Sequence, residues 1–473
     1  MAFTPRFPVI IGPTAGGKSD LAVDVAHLLG GPDTAEIVTA DAFLRAMDEG
    51  GVRAELLATS SGIDVDDPAA LAEVSDRLRA LVHRAGVPAA LATEITDAYR
   101  RLGDDTTAGG AAGTPVAVRS SAAGEDGADA SFAGMNATYT NVIGTDQLLT
   151  RLVDCWASAY GPRVVSYRAS KGKIDETAIA VVVQQMVPSE RSGVAFSVDP
   201  TTADPTRLVV EAALGLGEVV VGGLVEPDTY LVDRVHHRVA SARIGHQSFK
   251  IVTGPDGVDQ QVDLAPEEGA ARVLTDEQVL AVAAMVERVE DHYGVPQDTE
   301  FAIDGSGRVF LVQARPITTL TPVTPASPAN PAAAGDPAGP PAGERLVQGL
   351  AAAPGVASGL VRILRDPADG HLLQTGEVLV APMTTPDWVP TLRRAAAVVT
   401  DGGGMTCHAA IVSRELGVPA IVGARDATTS LRDGELVTVD GATGAVTAGR
   451  PPAVAPTITG SSGSTTAVAA SLA

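Results

Sequence analysis

Cysteine is nearly absent from this chain of 473 residues, which carries only Cys155 and Cys407. Sulfur therefore offers neither a disulfide framework nor a zinc site. Lysine is scarce as well, occurring only as Lys18, Lys171, Lys173 and Lys250, and the formal net charge is −23. A nucleic-acid partner would need a basic footprint, so none is expected. A phosphate ligand would have to rely on a few placed cations. Aromatic residues make up only 3% of the chain, so its cores must be built mainly from Val, Leu and Ala. No apolar run approaches the ~20 residues needed to span a bilayer. The N-terminus lacks a basic segment followed by an apolar signal core. These absences predict a soluble, cytoplasmic protein with no membrane partner, long enough for roughly two to four domains.

The stretch with the most chemical content is Thr400-Asp401-Gly402-Gly403-Gly404-Met405-Thr406-Cys407-His408-Ala409-Ala410-Ile411-Val412-Ser413-Arg414-Glu415-Leu416-Gly417-Val418-Pro419. The apolar run Ala395–Val399 before it reads as a strand. The glycines form a loop needing free backbone angles, Thr406 is a natural N-cap, and Gly417 followed by Pro419 stops the helix. His408 then stands in the first helical turn. There the helix dipole and exposed N–H groups disfavour imidazolium and favour an anionic group on the ring. The position suits a histidine that takes up a phosphoryl group. Gly403–Ala420 resembles the mobile phosphohistidine domain of the phosphoenolpyruvate-utilising enzymes, whose signature runs GG-x-T-[CS]-HAAI-[IV]-x-RELG-[IV]-PA.

Near the N-terminus, the apolar run Phe7–Ile11 leads into Gly12-Pro13-Thr14-Ala15-Gly16-Gly17-Lys18-Ser19, which matches the P-loop pattern GxxxxGK[ST]. Such a loop cradles a triphosphate with its N–H groups while Lys18 reaches the terminal phosphates. Two families compete for it. The strand and loop resemble the start of tRNA dimethylallyltransferases, and also the start of the phosphoenolpyruvate synthase (pyruvate, water dikinase) family. The residues downstream favour the latter: Ile63-Asp64-Val65-Asp66-Asp67, two amphipathic helices within Asp64–Leu102, and Glu94-Ile95-Thr96-Asp97-Ala98-Tyr99. One departure is that Gly31-Pro32-Asp33-Thr34-Ala35-Glu36 replaces the turn usual in that family.

Further blocks carry the same resemblance: Val118-Arg119-Ser120-Ser121, Glu125-Asp126, Ser131-Phe132-Ala133-Gly134, Thr138, the strand Ile179–Val187, and Glu211-Ala212-Ala213-Leu214-Gly215-Leu216-Gly217-Glu218. It implies that Arg119 grips phosphate, that the loop with Gly134 and Thr138 covers the nucleotide, and that the strand bearing Gln184 and Met186 is the hinge against adenine. Met135-Asn136 departs from the glutamine-rich sequence common after this glycine.

The richest constellation is Asp298-Thr299-Glu300-Phe301-Ala302 followed by Leu311-Val312-Gln313-Ala314-Arg315-Pro316. Its alternation predicts paired strands joined by the turn Asp304-Gly305-Ser306-Gly307. Gln313 and Arg315 then share a face, with Glu300 able to sit opposite. A carboxylate and an amide oxygen are hard ligands suited to Mg²⁺, which also needs phosphate oxygens. Arg315 would balance charge at the transferred group.

Thr318–Gly343 is rich in Pro, Ala, Gly and Thr and reads as a linker, whose roughly 25 residues in polyproline geometry would reach on the order of 75 Å. The domain reading is 1–110 for the N-terminal part of the ATP-binding module and 111–319 for an ATP-grasp domain. A linker at 320–345, a phosphohistidine domain at 346–449 and a disordered tail at 450–473 complete it. The resemblance covers nearly all of residues 50–445. It implies an α/β (α+β) fold in which an ATP-grasp module is joined to a swivelling β/α/β domain.

The implied activity is ATP-dependent phosphoryl transfer to His408 and on to an acceptor, pyruvate or another small molecule, with ATP and Mg²⁺ as cofactors. In synthases of this family the β-phosphoryl group moves, leaving AMP and phosphate. Lys18, Arg119 and Arg315 are assigned to the phosphates, Glu300 and Gln313 to Mg²⁺, and His408 Nε2 to the nucleophile. Phosphoenolpyruvate synthases continue into a barrel that binds pyruvate or phosphoenolpyruvate, and no such segment is present here. The alternatives are a rifampicin phosphotransferase-like enzyme, a truncated synthase served by a separate acceptor-domain protein, a P-loop kinase or prenyltransferase, and a nucleotide-sensing domain without catalysis.

Overall fold

The structure is a computed structural model that describes residues 35–60, 68–104, 113–122, 137–162, 164–165, 178–200, 202–254, 257–317, 344–405 and 407–449. The P-loop-like segment with Lys18, the loop with Gly134, Thr406, the Thr318–Gly343 stretch and the tail from Arg450 lie outside them. No described helix is long and apolar enough to cross a membrane.

The first sheet comprises β1 (Ala35–Val38), β2 (Val116–Ala122), β3 (Thr138–Val142) and β4 (Ile179–Gln185), ordered β1-β4-β2-β3 and antiparallel throughout. Its helices are α1 (Ala40–Glu49), α2 (Arg53–Ser60), α3 (Pro68–Ala85), α4 (Ala89–Asp104) and α5 (Thr145–Ser158). The two amphipathic helices expected before Leu102 are α3 and α4. Thr39 caps α1 by accepting from the Ala42 N–H, and Phe43, Ala46 and Met47 form the buried stripe at helical spacing. Side chains alternate across a strand, so Val116, Val118, Val181 and Val183 enter the core around Trp156 and Phe43, whose rings meet edge to face at 5.7 Å. Arg119 and Gln184 are thereby turned to the opposite face.

The second sheet contains β5 (Ser189–Phe196), β6 (Arg207–Leu214), β7 (Asp228–Asp233), β8 (Arg238–Arg243), β11 (Gln297–Asp304) and β12 (Val309–Pro316), in the order β12-β11-β5-β6-β7-β8. A separate hairpin pairs β9 (Phe249–Thr253) with β10 (Asp259–Asp263). Helix α6 (Asp276–Tyr293) covers one face. Its Thr275–Gln278 capping box and left-handed Gly294 mark its ends, and Val279, Val282, Val286 and Val289 lie buried along its stripe. Asn141, itself left-handed at φ 53°, hooks the first sheet to the hairpin by donating to Thr253 Oγ1 at 2.9 Å and to Asp259 Oδ1.

The third unit is an eight-stranded mixed sheet of β13 (Arg345–Gln348), β14 (Leu350–Ala353), β15 (Val356–Ile363), β16 (Val378–Ala381), β17 (Ala397–Thr400), β18 (Ala420–Val422), β19 (Leu436–Asp440) and β20 (Ala445–Ala448). The run β15-β16-β17-β18 is parallel. Helix α7 (His408–Leu416) follows β17 through the glycine loop. The architecture is the mixed α/β one expected from the sequence.

Candidate active site

Helix α7 begins at His408 itself, so the histidine occupies the first helical position. Its N-cap is Cys407, which makes no side-chain cap bond, rather than Thr406. The helix stops where expected, on a left-handed Gly417. Gly403, at φ 99°, turns the chain so that the Cys407 N–H donates to the Gly404 carbonyl at 3.2 Å. Arg414, two helical turns on, folds back to donate to the carbonyls of Met405 and of Ala410, the latter at 3.1 Å. The His408 ring is half-buried. Its Nδ1 lies 3.1 Å from the hydroxyl of Thr384, which is 3% exposed. The tautomer in which Nδ1–H donates to Thr384 leaves the lone pair on Nε2. Burial pushes the neighbouring Cys407 thiol up to about 11, which keeps it protonated.

The hairpin of β11 and β12 forms as expected, and a register shift between Glu300 and Phe301 sets Glu300 opposite Gln313 and Asp298 opposite Arg315. Glu300 and Gln313 converge on one guanidinium nitrogen of Arg119, which reaches over from the first sheet. It contacts Glu300 Oε2 at 3.3 Å and donates to Gln313 Oε1. Arg315 is held by Asp298, with Nε at 2.8 Å and Nη2 at 2.7 Å from Oδ2. Thr138 pairs with Arg119 in the register of β2 and β3. Gln184 shares the Arg119 face; it is 4% exposed, and its Oε1 has no hydrogen-bond partner among the described residues. Strand β4 ends at Gln185, so Met186 lies just beyond it, its N–H donating to the Pro115 carbonyl at 2.9 Å.

Pairing registers align Gln313, Glu300, Val194, Glu211, Thr229 and Arg243 in one row across the second sheet. Residues directly opposite one another point to the same face. Glu211 is two strand spacings from Glu300, roughly 10 Å. Glu211 is fully buried, and its Oε1 accepts from the Met405 N–H at 2.6 Å. The glycine loop of His408 is thus seated on the row that carries Glu300 and Gln313. Burial lowers the pKa of the Arg414 guanidinium, and the nearby Cys407, Glu211, Asp298 and Asp199 oppose that shift.

The structure joins Arg119, Glu300 and Gln313 directly, holds Arg315 on Asp298, places Gln184 and Thr138 on the first sheet with Arg119, and seats the His408 loop on Glu211. Two participants have no role assigned from sequence. Thr384 stands in the segment Ala381–Pro390, where no local pattern singles it out. Glu211 lies in a block that carries the family resemblance, but its sequence context fits a solvated strand-end charge equally well. Among the described residues, no three His, Cys, Asp or Glu side chains cluster to hold a metal by themselves.

Comparison with known proteins gives two family matches. Residues 15–333 match the pyruvate phosphate dikinase AMP/ATP-binding domain family, and residues 373–444 match the mobile domain of PEP-utilising enzymes. A probable phosphoenolpyruvate synthase of Archaeoglobus fulgidus is 42% identical over 415 residues, covering 88% of this chain and 53% of the relative. The phosphoenolpyruvate synthase of Pyrococcus furiosus is 41% identical over 394 residues, covering 82% of this chain and 47% of the relative. The chain thus spans about half the length of the relatives it matches. With a nucleotide-binding match over most of its length and a mobile-domain match around His408, the chain belongs to the pyruvate phosphate dikinase and phosphoenolpyruvate synthase family of PEP-utilising enzymes.

Proposed function

We propose that this chain is an ATP-dependent phosphotransferase in which His408 Nε2 accepts a phosphoryl group from ATP and passes it to a small acceptor. The observation that carries this reading is the Glu211–Met405 contact, which seats the His408 loop on the strand row of Glu300 and Gln313. The domain division read from the sequence fits this scheme: a nucleotide module at 1–110 and 111–319, a linker at 320–345, and the His408 domain at 346–449. The relatives' name, phosphoenolpyruvate synthase, makes pyruvate the first acceptor to test. A cytoplasmic location, where ATP is supplied, suits the reaction.

In the transfer, a P–O bond of ATP breaks as the Nε2–P bond forms, and the displaced oxygen keeps the electron pair. Such a step needs alignment and charge neutralisation more than covalent help. Thr384 would fix the ring by accepting from Nδ1–H. Arg119, Arg315 and Lys18 would bind phosphate oxygens, and Asp298 would orient Arg315. Gln184 would offer its buried amide to the base, with Met186 and Thr138 beside it and Gly134 in the covering loop. Glu300 and Gln313 are hard oxygen donors that fit Mg²⁺, leaving its other positions to phosphate and water. Bound there, Mg²⁺ would neutralise charge on the transferred group.

The test is transfer of label from β- and γ-labelled ATP to the protein, scored as an acid-labile, base-stable adduct. The expected result is labelling of the wild type and none of His408→Ala. Label that persists in His408→Ala overturns the reading.

A further inference from the structure

Glu226, at the end of the segment joining β6 to β7, has a side chain that is only 9% exposed and is shared by two arginines. Arg243 of β8 approaches its Oε1 at 3.1 Å. Arg425, in the His408-bearing domain just after β18, meets both its oxygens, with Nε 3.1 Å from Oε2 and Nη2 3.1 Å from Oε1. Each arginine also donates to a backbone carbonyl of the other unit. Arg243 reaches Gly423 at 2.8 Å, and Arg425 reaches Ile244 at 3.1 Å. Two donors from opposite sides thus lock around one carboxylate.

The backbone beneath Arg425 adds a second, independent observation. Arg425 sits at φ 67°, in the left-handed region that favours glycine, pinned by its N–H to the Asp401 carbonyl at 2.7 Å. An L side chain is strained there, and such strain is retained where the side chain has a task. The task visible here is to carry a planar, two-pronged cation to Glu226, for which arginine is suited and lysine is not.

We propose that Arg425, Glu226 and Arg243 form an ionic clasp that docks the His408 domain on the nucleotide-binding unit, and that Arg425 is a positioning residue for phosphorylation of His408. The consequence for rate rests on the phosphotransferase reading; the docking itself does not. The clasp is separate from the Glu211 contact, so the Met405 N–H reports on docking without itself being part of the clasp.

The test uses the full chain. Amide hydrogen exchange at Met405 is measured without nucleotide, beside single-turnover labelling of His408 from labelled ATP and the thermal unfolding midpoint. Arg425→Gly should speed Met405 exchange on the order of fivefold, the worth of a partly exposed bidentate pair, and slow labelling by a similar factor. Because glycine relaxes the backbone, the midpoint should hold or rise. Glu226→Gln should act in the same direction, and Arg425→Lys should restore part of the protection. Unchanged Met405 exchange in Arg425→Gly overturns the clasp, as does a lowered midpoint, which would mark a structural role. If wild-type His408 takes no label, the phosphotransferase reading falls, while the exchange measurement still decides the clasp.

Discussion

Thr384 bears on which nitrogen of His408 is presented in the proposed chemistry, because its buried hydroxyl lies 3.1 Å from Nδ1 and, with Nδ1–H as donor, leaves the lone pair on Nε2. Thr384→Val keeps the shape and removes the hydroxyl, so the ring loses both its tautomer preference and its orientation. Labelling of His408 from ATP should then fall about ten- to a hundredfold, with ATP affinity unchanged, since misplacing a reacting atom costs rate without weakening binding. Weakened ATP binding in equilibrium titration would argue against this role. The histidine was legible in sequence because its glycine loop, short helix and stop are neighbours along the chain. Thr384 lies 24 residues away and Glu211 lies 194 residues from the N–H it accepts, so no local pattern joins them. Arg315 was legible as a cation on the Gln313 face, but its partner Asp298 emerged only with the register.

Between residue and whole, strand alternation and helix periodicity read well, and element ends read less well. The β11–β12 hairpin formed around its glycine turn as expected, but the register shift between Glu300 and Phe301 that sets Glu300 opposite Gln313 has no signal in the alternation. Helix α7 starts at His408 with Cys407 as its N-cap, one residue later than a Thr406 cap would set it. Within the parallel run, Arg362 of β15 grips Glu377, just ahead of β16, with contacts of 2.8 and 3.1 Å. Hydrogen bonding to Arg362, aided by the Gln374 N–H and opposed by burial, holds the Glu377 carboxyl below its usual value of 4.5. A depressed carboxylate stabilises the fold above its unfolded pKa and loses that contribution as pH falls through its folded one. Arg362→Met should therefore cost about 1–2 kcal/mol at neutral pH. The gap between variant and wild type should close as the pH drops below 4.5, measured by thermal unfolding at several pH values.

At the scale of the whole molecule, docking of the His408 domain leaves no room at one position. A methyl group on Gly404 would lie 2.5 Å from Glu211 Oε1 and 2.7 Å from Pro227 Cγ, both on the other unit. Gly404→Ala should leave each unit folded yet hinder their association. A larger radius of gyration in solution scattering, with labelling of His408 reduced at least tenfold, is the expected outcome. An unchanged radius together with normal labelling would contradict it. None of this arrangement could be read from the sequence, since the contacts between units join residues such as Arg243 and Gly423, 180 apart, and Arg425 and Glu226, 199 apart.

Among the described residues the first sheet is tied to the β9–β10 hairpin at Asn141 and to the second sheet at Arg119, two ties of opposite character. Near Asn141 the tie consists of an amide, a hydroxyl and a carboxylate, without a cation. At Arg119 it consists of the groups that an incoming nucleotide would need for itself. On the proposed function, an arriving triphosphate would compete with Glu300 and Gln313 for Arg119, while Asn141 and Asp259 would stay joined. The hairpin joint would then keep its partners, and the Arg119 side would exchange protein oxygens for phosphate ones.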